Sequence, residues 1–340
     1  MKTTLHTMIV RAAAAAAAMA FLASCGKQNP EPGRERMPAI GFGDASVAEA
    51  GAAGTKAGEK SFGRDFVVCA IKDVESGKQF VFPGFNVRYQ NPGYSYIFGD
   101  QTVKYWDTDA SGYAFWGFAP AGKADVSLSD MDALSVGLAP GEALQFHYSE
   151  VEDVRPSAFG REVQLKFARL GSRVRFGFYE TLAKMGVKEL EFSVGGNFYG
   201  SARYLMSARG LSVHSSTASH SIAVPLLPGP VQADKTQLAE GRDMTSWIPV
   251  LPLTDSGLTI TIESCVFTQD GSSRTIHLVD PITVQVPQEY CWWGTNRDYT
   301  YIFQISSVKE DFDQIIFSFD QQIVRDWEDN GAEGTYDFQP

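Results

Sequence analysis

Hydrophobic and polar residues alternate along most of this chain. In the stretch YTYIFQI, Tyr299, Tyr301, Phe303 and Ile305 share one side of an extended backbone, while Thr300, Ile302 and Gln304 share the other. Such alternation, rich in aromatic and β-branched residues, predicts a half-buried strand. DFVVCAIKD sets Phe66, Val68 and Ala70 against Val67, Cys69 and Ile71. Val163, Leu165 and Phe167 repeat the pattern, as do Val174, Phe176 and Phe178 after the break LGS. In GYAFWGFAP, Trp116 shares a face with Ala114 and Phe118, which points it to the core and leaves Phe115 on the other face. NPGY, DASG and PAG supply turn chemistry between the runs. Helical spacing is nearly absent; ETLAKMG is long enough for a turn or two. Many short strands joined by Gly/Pro-rich turns predict an all-β chain of the sandwich or barrel class. The length exceeds one common sandwich, so two are expected, over 38–160 and 161–340, with the division near Ser157 to Glu162.

The first residues break the pattern. Lys2 and Arg11 precede the apolar run Ala12 to Leu22, which is too short to span a bilayer comfortably. The run ends in Leu22-Ala23-Ser24-Cys25. This resembles the lipobox of bacterial lipoproteins, which implies a signal peptide over 1–24, cleavage before Cys25 and acylation of its thiol. Two or more acyl chains give lasting anchorage where one does not. Residues 25–37, polar and proline-containing, read as a tether.

Charge narrows the partners. The chain carries 29 Lys+Arg against 40 Asp+Glu, and the leader takes only Lys2 and Arg11 with it. An acidic chain without basic clusters is poorly suited to nucleic acid. Beyond Cys25 stand Cys69, Cys265 and Cys291, an odd number that excludes a complete disulfide framework. One bridge between Cys265 and Cys291 and three buried strand thiols are both compatible with this pattern.

Catalytic and metal-binding patterns are sought without result. HSSTASH places His214 and His220 six apart with no carboxylate or thiol beside them, and reads as a polar loop rather than a metal site. GVKELEFSVGGNFYG is glycine-rich but lacks the basic residue or helix start that would hold phosphate. No catalytic residue, metal ligand or cofactor is assigned. Among the tryptophans, Trp292 and Trp293 are adjacent and point to opposite faces if extended. One of that pair is the candidate for an exposed ring that stacks on a sugar.

Several motifs in order carry a wider resemblance. A lipobox is followed by FVVCAI, KYWDTDASGYAFWGFAPAG, QLKFARLGSRVRFGF, SWIPVLPL with LTITI, and WWGTNRDYTYIFQI with IIFSF and VRDW. The order resembles that of the fimbrillin family, the type V pilin subunits and related surface lipoproteins of Bacteroidota. The resemblance implies two transthyretin-like β-sandwich domains and a lipid anchor in the outer membrane, with the body exposed at the cell surface. It also implies assembly into fimbriae by strand exchange with other subunits, a role in adhesion, and no catalysis. The alternative is a surface lipoprotein that binds a glycan or another host or bacterial surface ligand and never polymerises.

Strand exchange would use both ends of the chain. AIGFGDASV can form a first strand with Ile40 and Phe42 on one face and Gly41, Gly43 and Ala45 on the other. A long small-residue loop joins it to DFVVCAIKD, and such loops are nicked readily. Arg64 is the only arginine between Arg36 and Arg88. In the resembled family an arginine-specific protease cuts the corresponding loop, which makes Arg64 the expected maturation site. Beyond Trp327 only Tyr336 and Phe338 could fill alternate pockets of a neighbour, so the tail is a weak donor. That combination predicts a subunit at a fibre end.

Overall fold

The computed structural model describes residues 37–48, 59–122, 124–126, 134–180, 185–222, 224, 227–228, 238, 244–269, 272–311, 314–324 and 334–337. Contacts divide the chain into Met1–Met37 and Pro38–Pro340, and the described fold belongs to the second unit. The signal peptide, Cys25, Phe338 and most of the loop after the first strand lie outside the described residues.

Strands dominate, as the alternation predicts. In chain order they are β1 (Ser46–Ala48), β2 (Glu59–Ser61), β3 (Phe66–Val74), β4 (Gly77–Tyr89), β5 (Tyr94–Ser95), β6 (Gly112–Ala119), β7 (Asp125–Val126) and β8 (Leu134–Leu138). After the one-turn helix α1 (Pro140–Ala143) come β9 (His147–Ser149), β10 (Glu152–Val154), β11 (Lys166–Arg169), β12 (Ser172–Glu180), β13 (Met185–Ser207), β14 (Gly210–Ile222) and β15 (Leu227–Pro228). The chain ends with β16 (Ile248–Val250), β17 (Thr259–Gln269), β18 (Ser272–Gln285), β19 (Asp298–Asp311), β20 (Gln314–Val324) and β21 (Gly334–Asp337).

Among the described residues these strands make three sheets. The first runs β2-β1-β11-β9-β6-β3-β4-β5, with β10 also on β6. The second runs β16-β12-β19-β20-β21. The third runs β18-β17-β13-β8-β7, and β14 and β15 pair with β13 as well. Pairing is antiparallel except at β1–β11 and β12–β19. In the latter, Arg173 to Glu180 lie beside Asp298 to Ile305 in an unbroken register.

Among the described residues, two of the apolar clusters join strands of different sheets. One joins Val174, Phe176 and Phe178 of β12 and Tyr299, Tyr301, Phe303 and Ile305 of β19 to Val187, Leu190 and Phe192 of β13 and Ile260 and Ile262 of β17. The inward residues are those the alternation selects. The other joins Val67, Cys69, Ile71, Trp116 and Phe118 to Leu134, Val136 and Leu138 of β8 and Ala202, Tyr204 and Met206 of β13. The long strand β13 therefore serves both clusters, its first half in one and its last third in the other. β7 and β8, from before residue 160, share a sheet with β13, from after it.

Two local features differ from the sequence expectations. Phe115 is as fully buried as Trp116, because the opposite face of the first sheet is also covered, by Phe42, Phe82, Tyr113 and Trp106. HSSTASH is not a loop but the middle of β14, held by backbone pairing such as Tyr199 to Ala218 and Arg203 to Ser215. Of ETLAKMG, Glu180 ends β12 and Met185 opens β13, while 181–184, where the helical turn is expected, lie outside the described residues. The described α-helical turn, α1, is capped by Glu142, whose side chain accepts the Ala139 amide at 3.0 Å. At the centre of β13, Gly196 has φ +153°, and a Cβ there would lie 2.5 Å from the carbonyl oxygen of Ser256. Only glycine allows that bulge, across which the Asn197 amide reaches the same oxygen at 2.6 Å.

Candidate functional site

The first segment of the described chain, Pro38 to Ala48, lies in a groove of the first sheet. Alternation dictates which side chains enter it. Ile40 and Phe42 point inward and are 1% and 4% exposed. Phe42 presents its ring edge-on to Phe66, Phe82, Tyr96 and Phe115, with centroids 5.5–6.2 Å apart. Edge-to-face packing of this kind adds to the stabilisation from area burial. Gly41 and Gly43 turn the other way, beneath Glu162; a Cβ on Gly43 would stand 2.9 Å from its Oε2. On that outer side a polar cleft of about 440 Å³ is lined by Glu152, Arg161, Glu162 and Gln164.

Backbone hydrogen bonds set the register of the segment. Ile40 N donates to Lys104 O (2.8 Å), Gly43 N to Val163 O (3.0 Å) and Ser46 N to Leu165 O (3.1 Å), while Gly41 O accepts from Val163 N (2.9 Å). Tyr96 adds a side-chain bond, its hydroxyl donating to Ile40 O at 2.8 Å. Phe42 thus bridges Val163 in parallel, and β1 continues beside β11. The contact is real but short. It consists of single bridges and one three-residue strand rather than a continuous ladder.

The return strand β2 leads to the predicted cleavage site. Phe62 N donates to Ala45 O at 2.7 Å. Its ring stacks on Phe167 at 4.2 Å and meets His147 at 5.3 Å. Gly63 then takes φ +55°, a left-handed conformation that turns the chain out of the sheet. Arg64 and Asp65 are exposed, and Asp65 Oδ1 accepts the Tyr89 amide at 2.9 Å. Arg64 sits between β2 and β3, so a cut after it separates Pro38 to Arg64, including β1, β2 and Phe62, from the rest of the chain.

His147 lies beneath this cover. Burial, and next the charge of Arg64, push its imidazole down to about 4; Arg169 acts in the same direction and the bond to the Gln145 carbonyl opposes them. Nothing in the sequence marks His147, because its partners Phe62, Arg64 and Arg169 are distant along the chain.

The two tryptophans separate. Trp293 is 1% exposed, donates Nε1–H to the Tyr301 hydroxyl at 2.9 Å, and stacks on Phe198 at 5.4 Å. Trp292 is 42% exposed, with its ring lying over Gly294. The three described cysteines are free and buried. Burial pushes the Cys69 and Cys265 thiols up to about 12, which makes them inert packing groups. No cluster of three metal-ligating side chains occurs among the described residues.

A charged junction joins β11 to the second sheet. Asp298 accepts from Arg169 at 2.7 Å and from Arg173 through both guanidinium positions. Burial alone would raise its carboxyl, but the two arginines outweigh it and hold it below the usual range. Tyr148 and Thr295 hydroxyls meet nearby at 2.9 Å.

No family model and no curated protein matches the chain. Among solved structures, the chain is similar to a protein ascribed to cell adhesion from Parabacteroides distasonis. The TM-score is 0.47 at 10% identity, covering 84% of this chain and 97% of that one. A fimbrial assembly protein from the same species has a TM-score of 0.37 at 12% identity, covering 88% and 100%. The fimbrial anchor protein Mfa2 from Porphyromonas gingivalis has a TM-score of 0.40 at 10% identity, again covering 88% and 100%.

Proposed function

We propose that this chain is a surface subunit of a fimbrial or adhesive assembly, lipid-anchored before it is cut and able to accept a strand from a neighbouring subunit afterwards. The motif order that resembles the fimbrillins supports the family reading, and the seat of Pro38 to Ala48 supports the mechanism. An extended segment that fills a groove through a few backbone bonds and two inward side chains, Ile40 and Phe42, can be exchanged for another of the same form. Cleavage after Arg64 frees the segment. The vacated groove then offers the Val163 and Leu165 backbone and the rings of Phe66, Phe82, Tyr96, Phe115 and Phe167 to an incoming strand. The chain performs no catalysis in this reading; it assembles. Until that cut Cys25 carries the lipid and holds the subunit at the outer membrane; the cut releases residues 25–64 together with the lipid.

The other end of the chain supports a place at a fibre end. β21 pairs with β20 of its own second sheet, Gln321 beside Tyr336 and Asp320 beside Asp337. A segment already paired within its own subunit lends itself poorly to a neighbour. Purified protein treated with an arginine-specific protease tests the acceptor half: the expected new N-terminus is Asp65. An intact Arg64–Asp65 bond, under conditions that cut a stalk pilin, overturns it. Long polymers formed by this subunit alone overturn the fibre-end position.

The exposed ring of Trp292 favours a second role, recognition of a surface glycan by stacking. A glycan array run with the parent chain and with Trp292→Ala tests it. Binding that the substitution leaves intact excludes this ring.

A further inference from the structure

Large apolar side chains are rarely exposed in the described fold, and two of the four that are, Ile97 and Tyr105, belong to the one segment from Tyr94 to Tyr105. Ile97 is 58% and Tyr105 51% exposed. Tyr96 and Lys104, their chain neighbours, are joined directly, the Lys104 amide donating to the Tyr96 hydroxyl at 3.1 Å. The half-buried rings of Phe85 and Phe98 flank the same loop. Each ring carries a cation, Arg88 over Phe98 at 3.9 Å and Lys104 over Phe85 at 5.3 Å. Within 94–105, Asp100 is the sole acid and Lys104 the sole base, and Arg88 adds a second positive charge from β4. In a chain as acidic as this one, the surface stands out by both its apolar content and its cations.

Its position gives it a partner. The segment from the N-terminus enters the fold at this point, with Trp106 N donating to Pro38 O at 3.3 Å and Ala39 bridging Tyr105 itself. Eleven residues separate Cys25 from Met37, a length of chain that can span about 40 Å at most. A lipid on Cys25 therefore cannot lie farther than that from the point where Pro38 enters, which keeps the Ile97–Tyr105 surface at a high effective concentration near the bilayer and makes weak contacts count. Exposed Tyr and Ile beside Arg and Lys is the composition that settles at a lipid–water interface: the apolar parts enter the acyl boundary and the cations meet phosphate.

We infer that the loop from Tyr94 to Tyr105, with Arg88, is a membrane-docking surface that orients the subunit on an anionic lipid bilayer. The inference rests on the lipid-anchor reading. In the uncut chain it makes the anchor a two-point attachment, in which the acyl chains hold the subunit and the loop fixes which way it faces. Backbone hydrogen exchange tests it in two arms. One uses the full lipidated protein in vesicles of phosphatidylethanolamine and phosphatidylglycerol. The other uses the chain from Gly26, with an N-terminal hexahistidine, on the same vesicles containing a nickel-chelating lipid, and so does not depend on Cys25. Exchange over 94–106 is expected to slow by about fivefold or more on vesicles in both arms, with β14 unchanged. The double variant Ile97→Asp, Tyr105→Asp should lose this slowing without a change in melting temperature. Arg88→Gln with Lys104→Gln should lose it only in part, on anionic vesicles alone. Unchanged exchange in the chelating-lipid arm, or slowing at Trp292 instead, overturns the docking surface. Slowing in that arm, while the natural chain fails to incorporate, upholds the surface and overturns the lipid anchor.

Discussion

The two ends of the fold are built from the same kinds of residue yet are held together differently. Around Phe176, Tyr301 and Trp293, the apolar cluster is enclosed by long ladders: β12 beside β19 without a break, and β13 beside β17 with two bulges. Around Phe42, the cluster is just as aromatic, but one wall is a short segment held by scattered bridges. Phe42 and Phe176 are both buried. What separates them is how much backbone must be released before each can leave. Burial measures how well a side chain is packed; the length of its ladder decides whether it is permanent.

Substitutions in the two clusters should diverge accordingly. Trp293→Ala and Trp116→Ala remove fully buried rings from walls that cannot open, and each should cost about 3–5 kcal/mol in denaturant titration. A loss below about 1 kcal/mol would mean that the surrounding wall yields. Phe42→Ala removes a comparable ring, but its cost is capped by the free energy that docks the whole segment, since beyond that the segment simply detaches. We expect about 2 kcal/mol, together with faster cutting at Arg64. Equal costs for Phe42→Ala and Trp293→Ala would erase the distinction between the walls.

Gly196→Ala tests the permanent side by backbone rather than side chain. The added Cβ meets the carbonyl of Ser256 and the backbone is left-handed, so about 1–3 kcal/mol of stability should be lost. Gly43→Ala, whose neighbour is the movable end of Glu162, should cost less.

The removable side should also be the acid-sensitive one. His147 is held neutral, its folded pKa depressed to about 4 by burial and by Arg64. The unfolded chain takes up the proton first, so stability is present above about pH 6.5 and is lost progressively as pH falls toward 4. Allowing for the partly solvated ring, we expect about 1–2 kcal/mol, read as a pH-dependent shift in melting that His147→Gln abolishes. A slope that persists in this variant would assign the effect elsewhere. The smallest effect is expected at Trp292→Ala, within about 0.5 kcal/mol of the parent, because its ring already faces solvent.

Much of the strand pattern was legible in the sequence, and the reasons for the gaps are physical. Val174, Phe176 and Phe178 alternate because one face of β12 is buried and the other carries Arg173 and Arg175, stacked on Trp247. Phe115 could not be read the same way. Its burial depends on Phe42, over seventy residues earlier, and alternation records a neighbour's face but not its distance. HSSTASH misleads for the opposite reason. As an edge strand with both faces open, β14 has no apolar period to show, and its partner β13 supplies the order. Ile40 and Phe42 were legible as one face of a first strand. His147 was not, since what makes it distinctive is the company of Phe62 and Arg64 rather than any motif of its own.

The single strand β13, 23 residues long, runs through both apolar clusters. If the chain is fixed at one end and tugged at the other, this strand acts as a girder. Its neighbours lie alongside it, so force along the strand loads many hydrogen bonds at once in shear instead of unzipping them in turn. A pull that reaches the second sheet through β19 meets the same arrangement, because eight consecutive residue pairs tie β19 to β12. The short first segment has no such ladder and would peel away at far lower force. One polypeptide thus contains a stiff spine and a tear strip, and which of them fails under tension depends on where the chain is held.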